Sequence, residues 1–376
     1  MDLISFSTLL DPRSLGIYEE VSKALLTQSF MTMDMELYKL NVYGERSHSG
    51  GVYPRSSESP KNHCVVGKGD FFKAHRDTPR SQDMFGSLVI VLPTLHQGGQ
   101  FMLRQGEKEW TIDFADKFAT AAEPSVCFVA FFGDIEHEVL PVTSGFRVTL
   151  TYNIYHKPGL MHPNTSSIPT PFQLKLKQTL VDLVNDKSKL PKGGYLGFGL
   201  VHEYVHTGRK LLEPLLGQLK GSDRALADVC DELGLRYSLR LLYCGIVEPP
   251  LNLIATNELE VDAEMMPDYE ESLSEDYLRQ ALEGLTIEEV EGIILVGGRH
   301  KFDPRLLDDD RYGMWLRAFY RNPATEVLEI TPMKSSVDIK TSFMTYGNEA
   351  EFEYFYGTAC MLVAVEPAES RDFVEL

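Results

Sequence analysis

His75 and Asp77 stand two apart in a segment, Phe71 to Asp77, that reads as a β-strand, and a period of two projects both side chains from one face. Alone, His-x-Asp arises by chance and is most often a surface or capping feature. His137 raises its weight, because it opens another predicted strand in the same half of the chain and completes a set of two imidazoles and one carboxylate. Two His and one carboxylate on one side of a metal leave the other positions open, the arrangement that suits non-haem Fe(II) oxygen chemistry. The strand after His137 extends the set. Taken as a hairpin turn, Thr143-Ser144-Gly145 pairs Val142 with Phe146, Pro141 with Arg147, Val139 with Thr149 and His137 with Thr151. Arg147 then stands roughly 13 Å from His137 along the ladder, at about 3.3 Å per residue. That gap accommodates an extended dicarboxylate between a metal ligand and an arginine fork, with Thr149 and Thr151 lining the same polar groove.

Several elements must position these residues. Helical spacing over residues 15 to 27 (Leu15, Ile17, Val21, Leu25, with Ser14 as cap) predicts an opening helix, and alternation from Glu36 to Tyr43, with Leu37, Lys39 and Asn41 on one face and Tyr38, Leu40 and Val42 on the other, predicts a strand. Residues 44–69, rich in Gly, Ser and Pro, are too long for a plain connection and form a candidate lid. Strand-like runs follow at Phe71 to Asp77, Ser87 to Leu92, Gln100 to Arg104, Val126 to Phe132, His137 to Val142 and Phe146 to Tyr155. Short strands so spaced predict a sandwich or barrel. The segment 158–171, carrying Pro163, Ser166, Ser167, Pro169 and Thr170, reads as a linker between a first domain, 1–157, and a second, 172–376. In the second, the spacing predicts a helix over Leu174 to Val184 and strands at Tyr195 to Val201, Ile293 to Val296 and Cys360 to Val365. The fold class is α+β, mainly β.

Composition narrows the function. Thirty-six basic against 55 acidic residues give a formal charge of −19, which repels phosphate backbones and anionic membrane surfaces. Nucleic acid and membrane are therefore excluded as expected partners. An acid near the start and no apolar run of about 18 residues predict an intracellular protein, cytoplasmic or nuclear. The five cysteines are widely spaced, with no C-x-x-C pair, and read as buried thiols.

These residues resemble a known family. Tyr38-Lys39-Leu40-Asn41-Val42-Tyr43, the run Gly69-Asp70-Phe71-Phe72-Lys73-Ala74-His75-Arg76-Asp77-Thr78-Pro79-Arg80, Gly98-Gly99, and His137-Glu138-Val139 through Gly145-Phe146-Arg147-Val148-Thr149 are similar to the prolyl-4-hydroxylase-type branch of the Fe(II)- and 2-oxoglutarate-dependent oxygenases. The resemblance covers residues from about 36 to 155, and its ordered set, His-x-Asp, His, then Arg ten residues on, is specific. It implies a double-stranded β-helix (jelly-roll) with flanking helices, iron held by His75, Asp77 and His137, and Arg147 on the distal carboxylate of 2-oxoglutarate. Tyr43 or Tyr38 would help bind that co-substrate. It further implies O2 as oxidant, ascorbate as a candidate reductant, release of succinate and CO2, and hydroxylation of an aliphatic C-H bond, with a prolyl residue of a peptide or protein as the expected substrate. The insertion at 44–69 departs from the family pattern. Similar hydroxylases carry a degenerate second β-helix, so the second half is expected to be that or another α/β domain, without an active site.

Other readings stand beside this one. A free amino acid or natural product is an alternative substrate, and a non-catalytic double-jelly-roll binding protein is an alternative class. His202-Glu203-Tyr204-Val205-His206 spells H-E-x-x-H, which on a helix would present zinc ligands and a general base. Its surroundings are strand-like, which argues against a metalloprotease.

Overall fold

The computed structural model describes residues 8–26, 31–44, 65–66, 72–123, 125–158, 169–206, 210–211, 213–244, 253–256, 258–259, 292–296, 325–334 and 355–375. The chain falls into two compact units, Met1–Pro163 and Asn164–Leu376.

In the first unit, helix α1 (Ile17–Leu25) precedes strands β1 (Met31–Gly44), β2 (Val65–Val66), β3 (Phe72–His75), β4 (Met84–Val91), β5 (His96–Gly98), β6 (Phe101–Gln105) and β7 (Lys108–Ile112). Helix α2 (Phe114–Thr120) follows, then β8 (Cys127–Phe132), β9 (Glu136–Val139) and β10 (Val142–Pro158). The larger sheet runs β2-β1-β10-β4-β8 with β5 on β10, and the smaller runs β3-β9-β6-β7. From β8 to β10 the chain alternates between the two. Tyr43, Val89, Val91, Phe131 and Val142 of the larger sheet share one apolar cluster with Phe101 and Val139 of the smaller. On the opposite face of the larger sheet, Leu88, Ile90, Leu150, Tyr152 and Ile154 pack with Ile17 and Val21, which lie one turn apart on α1. Alternate residues of β10 therefore divide between two cores, with Leu150, Tyr152 and Ile154 toward α1.

Three expectations are corrected here. The hairpin across residues 143–145 does not form: β9 pairs with β3 and β6, whereas β10 pairs with β1 and β4. Pro141 has no N–H to give a ladder, and Val142 to Gly145 pair instead with Gly98, Gln97 and His96 of β5, so the chain changes sheets where a turn was predicted. The α1 cap is Gly16, while the Ser14 hydroxyl donates to the Asp11 carbonyl at 2.8 Å. Leu37 leaves the Lys39 and Asn41 face, because a register shift between Leu37 and Lys39 resets the alternation. Of the insertion at 44–69, only Gly44, which ends β1, and β2, which pairs in parallel with β1, fall among the described residues; the rest of the candidate lid lies outside them.

The second unit begins with α3 (Pro171–Asn185), capped by a reciprocal pair in which Thr170 accepts from the Gln173 N–H and Gln173 accepts from the Thr170 N–H. After it come β11 (Gly194–Gly199), β12 (Tyr204–His206), β13 (Lys210–Leu211), a 3-10 turn (Glu213–Gln218) and α4 (Gly221–Glu232). Then follow β14 (Tyr237–Cys244), β15 (Leu253–Thr256), β16 (Glu258–Leu259), β17 (Gly292–Val296), β18 (Thr325–Thr331), β19 (Phe355–Gly357) and β20 (Cys360–Val365). Strands β11-β18-β17-β15-β14-β20 close into a barrel, and α3 and α4 pack on it through Leu180, Val184, Leu226 and Val229. Residues 260–291, where acidic side chains are opposed by Arg279 alone, lie outside the described residues. Cys230 and Cys360 are buried and Cys127 partly so, and burial pushes the Cys230 thiol up to about 12.

Gly145 is the joint that lets β10 leave β5 and join β1. Its φ is +72°, and a Cβ there would stand 2.1 Å from the Leu95 carbonyl oxygen. Gly145→Ala is expected to cost about 2 kcal/mol or more, from left-handed strain plus the clash, and to lower the thermal midpoint of the first unit in a melting experiment.

Candidate metal centre

Strands β3 and β9 pair antiparallel with His75 directly opposite His137. Opposed residues in such a pair present their side chains on one face. The two rings lie 4.2 Å apart between centroids, tilted by 53°. Asp77 follows just beyond β3, where its N–H donates to the Gly133 carbonyl at 3.2 Å. One potential ligand atom from each of His75, Asp77 and His137 lies within 4.8 Å of the others. Among the described residues no second group of three such side chains converges.

Hydrogen bonds decide which atoms face the centre. Nδ1 of His75 lies 2.8 Å from the Lys73 carbonyl, and Nδ1 of His137 lies 3.1 Å from the Ile135 carbonyl. A carbonyl can only accept, so each Nδ1 carries the proton and each Nε2 keeps its lone pair for a metal. Asp77 is split in the same way: Oδ2 accepts from the Ser87 hydroxyl at 2.7 Å, while Oδ1 lies 3.7 Å from His137 Nε2. His137 is buried against Phe131 and Phe101, with ring centroids 4.6 and 5.8 Å away. His75 and Asp77 are only half-buried, which leaves one side of the centre open to an approaching molecule. Burial first, and the facing His137 second, hold the His75 pKa below its ordinary 6.5.

Arg147 sits in the same unit at 1% exposure, and its Nε and Nη2 have no hydrogen-bond partner among the described residues. Its guanidinium lies over the Tyr43 and Phe114 rings, at 5.4 and 5.7 Å from their centroids. Gly99 makes room for it, since a Cβ there would stand 3.0 Å from Arg147 Cδ. Burial pushes its pKa below the ordinary value. A buried cation without a counter-charge is costly, so the arrangement calls for an anion. Thr149, also at 1% exposure, has a hydroxyl two residues along the strand that finds no partner among the described residues. On β1, Tyr43 lies opposite Arg147 and Asn41 opposite Thr149. Asn41 is 8% exposed; its Nδ2 donates to the Thr151 hydroxyl at 3.3 Å, while its Oδ1 has no partner among the described residues.

Tyr43, Phe114, Phe101 and Phe131 belong to one apolar cluster, so the rings against Arg147 and those against His137 line a common interior. The chemistry of the donors fits the expected groups. Two imidazole nitrogens and a carboxylate oxygen suit a ferrous ion, and a guanidinium with two unpaired nitrogens suits a carboxylate.

Tyr38 occupies different surroundings. Its hydroxyl accepts from Arg80 Nη2 at 2.7 Å, with that guanidinium 5.2 Å from its ring, so Tyr43 is the tyrosine beside Arg147. Sequence reasoning missed Ser87 and Asn41. Ser87 is the lone hydroxyl in the otherwise apolar and fully buried strand β4, and that polar break was the available signal. The H-E-x-x-H motif has no helix: residues 201–203 form a bend and Tyr204–His206 is strand β12. The buried Asp223 carboxylate fixes that bend by accepting from the N–H groups of Val201 and His202 and from the Tyr204 hydroxyl, and burial raises its pKa.

Residues 61–155 match the 2OG-Fe(II) oxygenase superfamily. No curated protein matches the chain. Among solved structures, the chain is similar to an oxidoreductase of the 2OG-Fe(II) oxygenase family from Burkholderia pseudomallei, at 22% identity over 25% of this chain and 42% of that one, with a TM-score of 0.20. It is also similar to a prolyl-4-hydroxylase from Pseudomonas putida, at 18% identity over 38% of this chain and 63% of that one, with a TM-score of 0.23. The chain thus spans less than two thirds of either structure's length, and at these scores neither likeness adds to the geometry. Among the described residues, no helix is long and apolar enough to cross a membrane.

Two outcomes are expected of the centre. Because the fold holds His75 neutral, the unfolded chain takes up its proton first on acidification. Stability of the metal-free protein is therefore intact above about pH 6.5 and falls as pH drops from there through the lower folded value, a loss that His75→Gln should diminish in a melting series against pH. Ser87→Ala should weaken Fe(II) affinity by about 10- to 100-fold in an anaerobic titration, since it frees Asp77 to turn away.

Proposed function

We propose that the first unit, whose residues 61–155 carry the 2OG-Fe(II) oxygenase superfamily pattern, is a Fe(II)- and 2-oxoglutarate-dependent dioxygenase with a double-stranded β-helix fold. Its reaction is hydroxylation of an aliphatic C-H bond, and a prolyl residue of a peptide or protein is the favoured substrate on the strength of the sequence resemblance. One observation carries the reading: a three-donor cluster, open on one side, shares its interior with a buried guanidinium that has no counter-ion among the described residues.

His75, Asp77 and His137 would hold the iron, and Arg147 with Thr149 and Tyr43 would hold the distal carboxylate of 2-oxoglutarate. Ferrous iron bound with 2-oxoglutarate and O2 supplies the oxidising power to hydroxylate an unactivated carbon, yielding succinate and CO2. The protein's own contributions follow from the contacts. The Lys73 and Ile135 carbonyls hold both imidazoles in the ligating tautomer, and Ser87 holds Asp77 with one oxygen turned to the centre. Arg147 waits in an apolar setting, where its attraction for a carboxylate is stronger than at the surface. Phe101, Phe114 and Phe131 keep bulk water from the interior, while the exposed edges of His75 and Asp77 leave room for a substrate. The second unit is read as non-catalytic.

The test uses the full chain, Fe(II) and 2-oxoglutarate under anaerobic conditions, followed by succinate release in air. His137→Ala is expected to abolish both the visible chelate band and turnover. Arg147→Ala is expected to raise the 2-oxoglutarate requirement about a hundredfold or more, as when one partner of a buried ion pair is removed. Unchanged succinate release in the His137 variant would defeat the assignment.

A further inference from the structure

We infer that Asn41 is a co-substrate-positioning residue: its side-chain amide donates a hydrogen bond to the dicarboxylate that Arg147 anchors, an inference that rests on the function proposed above.

The starting point is an imbalance in the β1–β10 ladder. Three polar side chains in adjoining positions, Asn41, Thr149 and Arg147, are each more than nine-tenths buried, and each has at least one atom without a partner among the described residues. Groups in such positions are paired in the great majority of folded proteins, and one orphan costs roughly 1–3 kcal/mol. Three together, on facing strands and toward one interior, mark a place built for a polar guest.

The chemistry then identifies what Asn41 contributes. Its Nδ2 is spent on the Thr151 hydroxyl, and its Oδ1 has no donor among the described residues. A hydroxyl can donate as well as accept, so Thr151 is satisfied by either face of the amide. Turning the amide by half a rotation lets Thr151 donate to Oδ1 and aims Nδ2 at the place Oδ1 now occupies. Asparagine oxygen and nitrogen are assigned from their partners, and the partner decisive here is the guest. A dicarboxylate accepts only, so its arrival selects the orientation with Nδ2 inward. Thr151 thus works as a two-way pivot, and Asn41 adds an uncharged donor beside the guanidinium.

A strut between strands is the competing role for this residue, and the two predict opposite signs. If Asn41 positions the co-substrate, Asn41→Leu removes an unsatisfied buried amide from the empty protein. The thermal midpoint of the metal-free chain is then unchanged or higher, while affinity for 2-oxoglutarate falls about tenfold or more, the loss of one charge-assisted hydrogen bond. Affinity is read from the visible chelate band during anaerobic titration of the Fe(II)-loaded full chain with 2-oxoglutarate, and separately from the rise in melting temperature that the compound produces. Asn41→Asp, which places a second acceptor against the guest, should weaken binding further and leave Fe(II) affinity intact. A lower midpoint for the empty Asn41→Leu protein with wild-type 2-oxoglutarate affinity would overturn the inference in favour of the strut, as would undiminished affinity in Asn41→Asp. If the unmodified protein itself shows no band and no thermal shift with 2-oxoglutarate, the functional reading falls and the role of Asn41 falls with it.

Discussion

The pairing of β3 with β9 is the constraint from which the rest follows. His75 and His137 are far apart in sequence, and only the register that sets one opposite the other gives their ring nitrogens a common target. A slip of one residue would turn one imidazole to the other face of the sheet. The register is fixed by burial rather than by the histidines. Val139 of β9 lies in the core between the sheets, and Phe72 of β3, its partner across the ladder, packs against the same cluster. The same core holds Phe131 against His137, so the packing that fixes the pairing also shields the imidazole.

Much of the candidate centre was legible in the sequence because its information is short-ranged. His75 and Asp77 are two residues apart and so stay close in space even though β3 ends at His75 and Asp77 lies just past it, and the separation along the chain from His137 to Arg147 is a property of the order of residues. The geometry inferred from that order was not legible. Ser144-Gly145 has the composition of a tight turn, yet the left-handed glycine there is used to redirect a continuing strand past the Leu95 carbonyl. Which sheet a strand joins depends on partners many residues away, and β5, the partner that decides it here, is a three-residue strand without a hydrophobic pattern of its own. The bulge in β1 was hidden for a related reason. Lys39, Asn41 and Tyr43 alternate as expected, but nothing local announces that Leu37 leaves their face.

Helices showed the same division. The apolar spacing of α1 and α3 predicted both elements, with ends displaced by a few residues. α4 was overlooked although Leu226, Val229 and Cys230 stand at helical spacing, because charged neighbours dilute the pattern. The H-E-x-x-H stretch shows the reverse hazard, a motif of the right letters on the wrong backbone. There a bend held by a buried carboxylate, rather than a helix, decides where the side chains go.

The imidazoles are steered by peptide carbonyls of the residues two places before them, not by acidic or amide side chains. Such guidance is indifferent to what the chain carries at positions 73 and 135. Lys73 is exposed and its side chain can be replaced without moving its carbonyl, whereas Ile135 also fills the core with Phe131 and Val139 and can change only to another apolar residue of similar size. The aim of both rings is in that respect written into the main chain, and side chains enter it only through the packing that keeps the strands on their path.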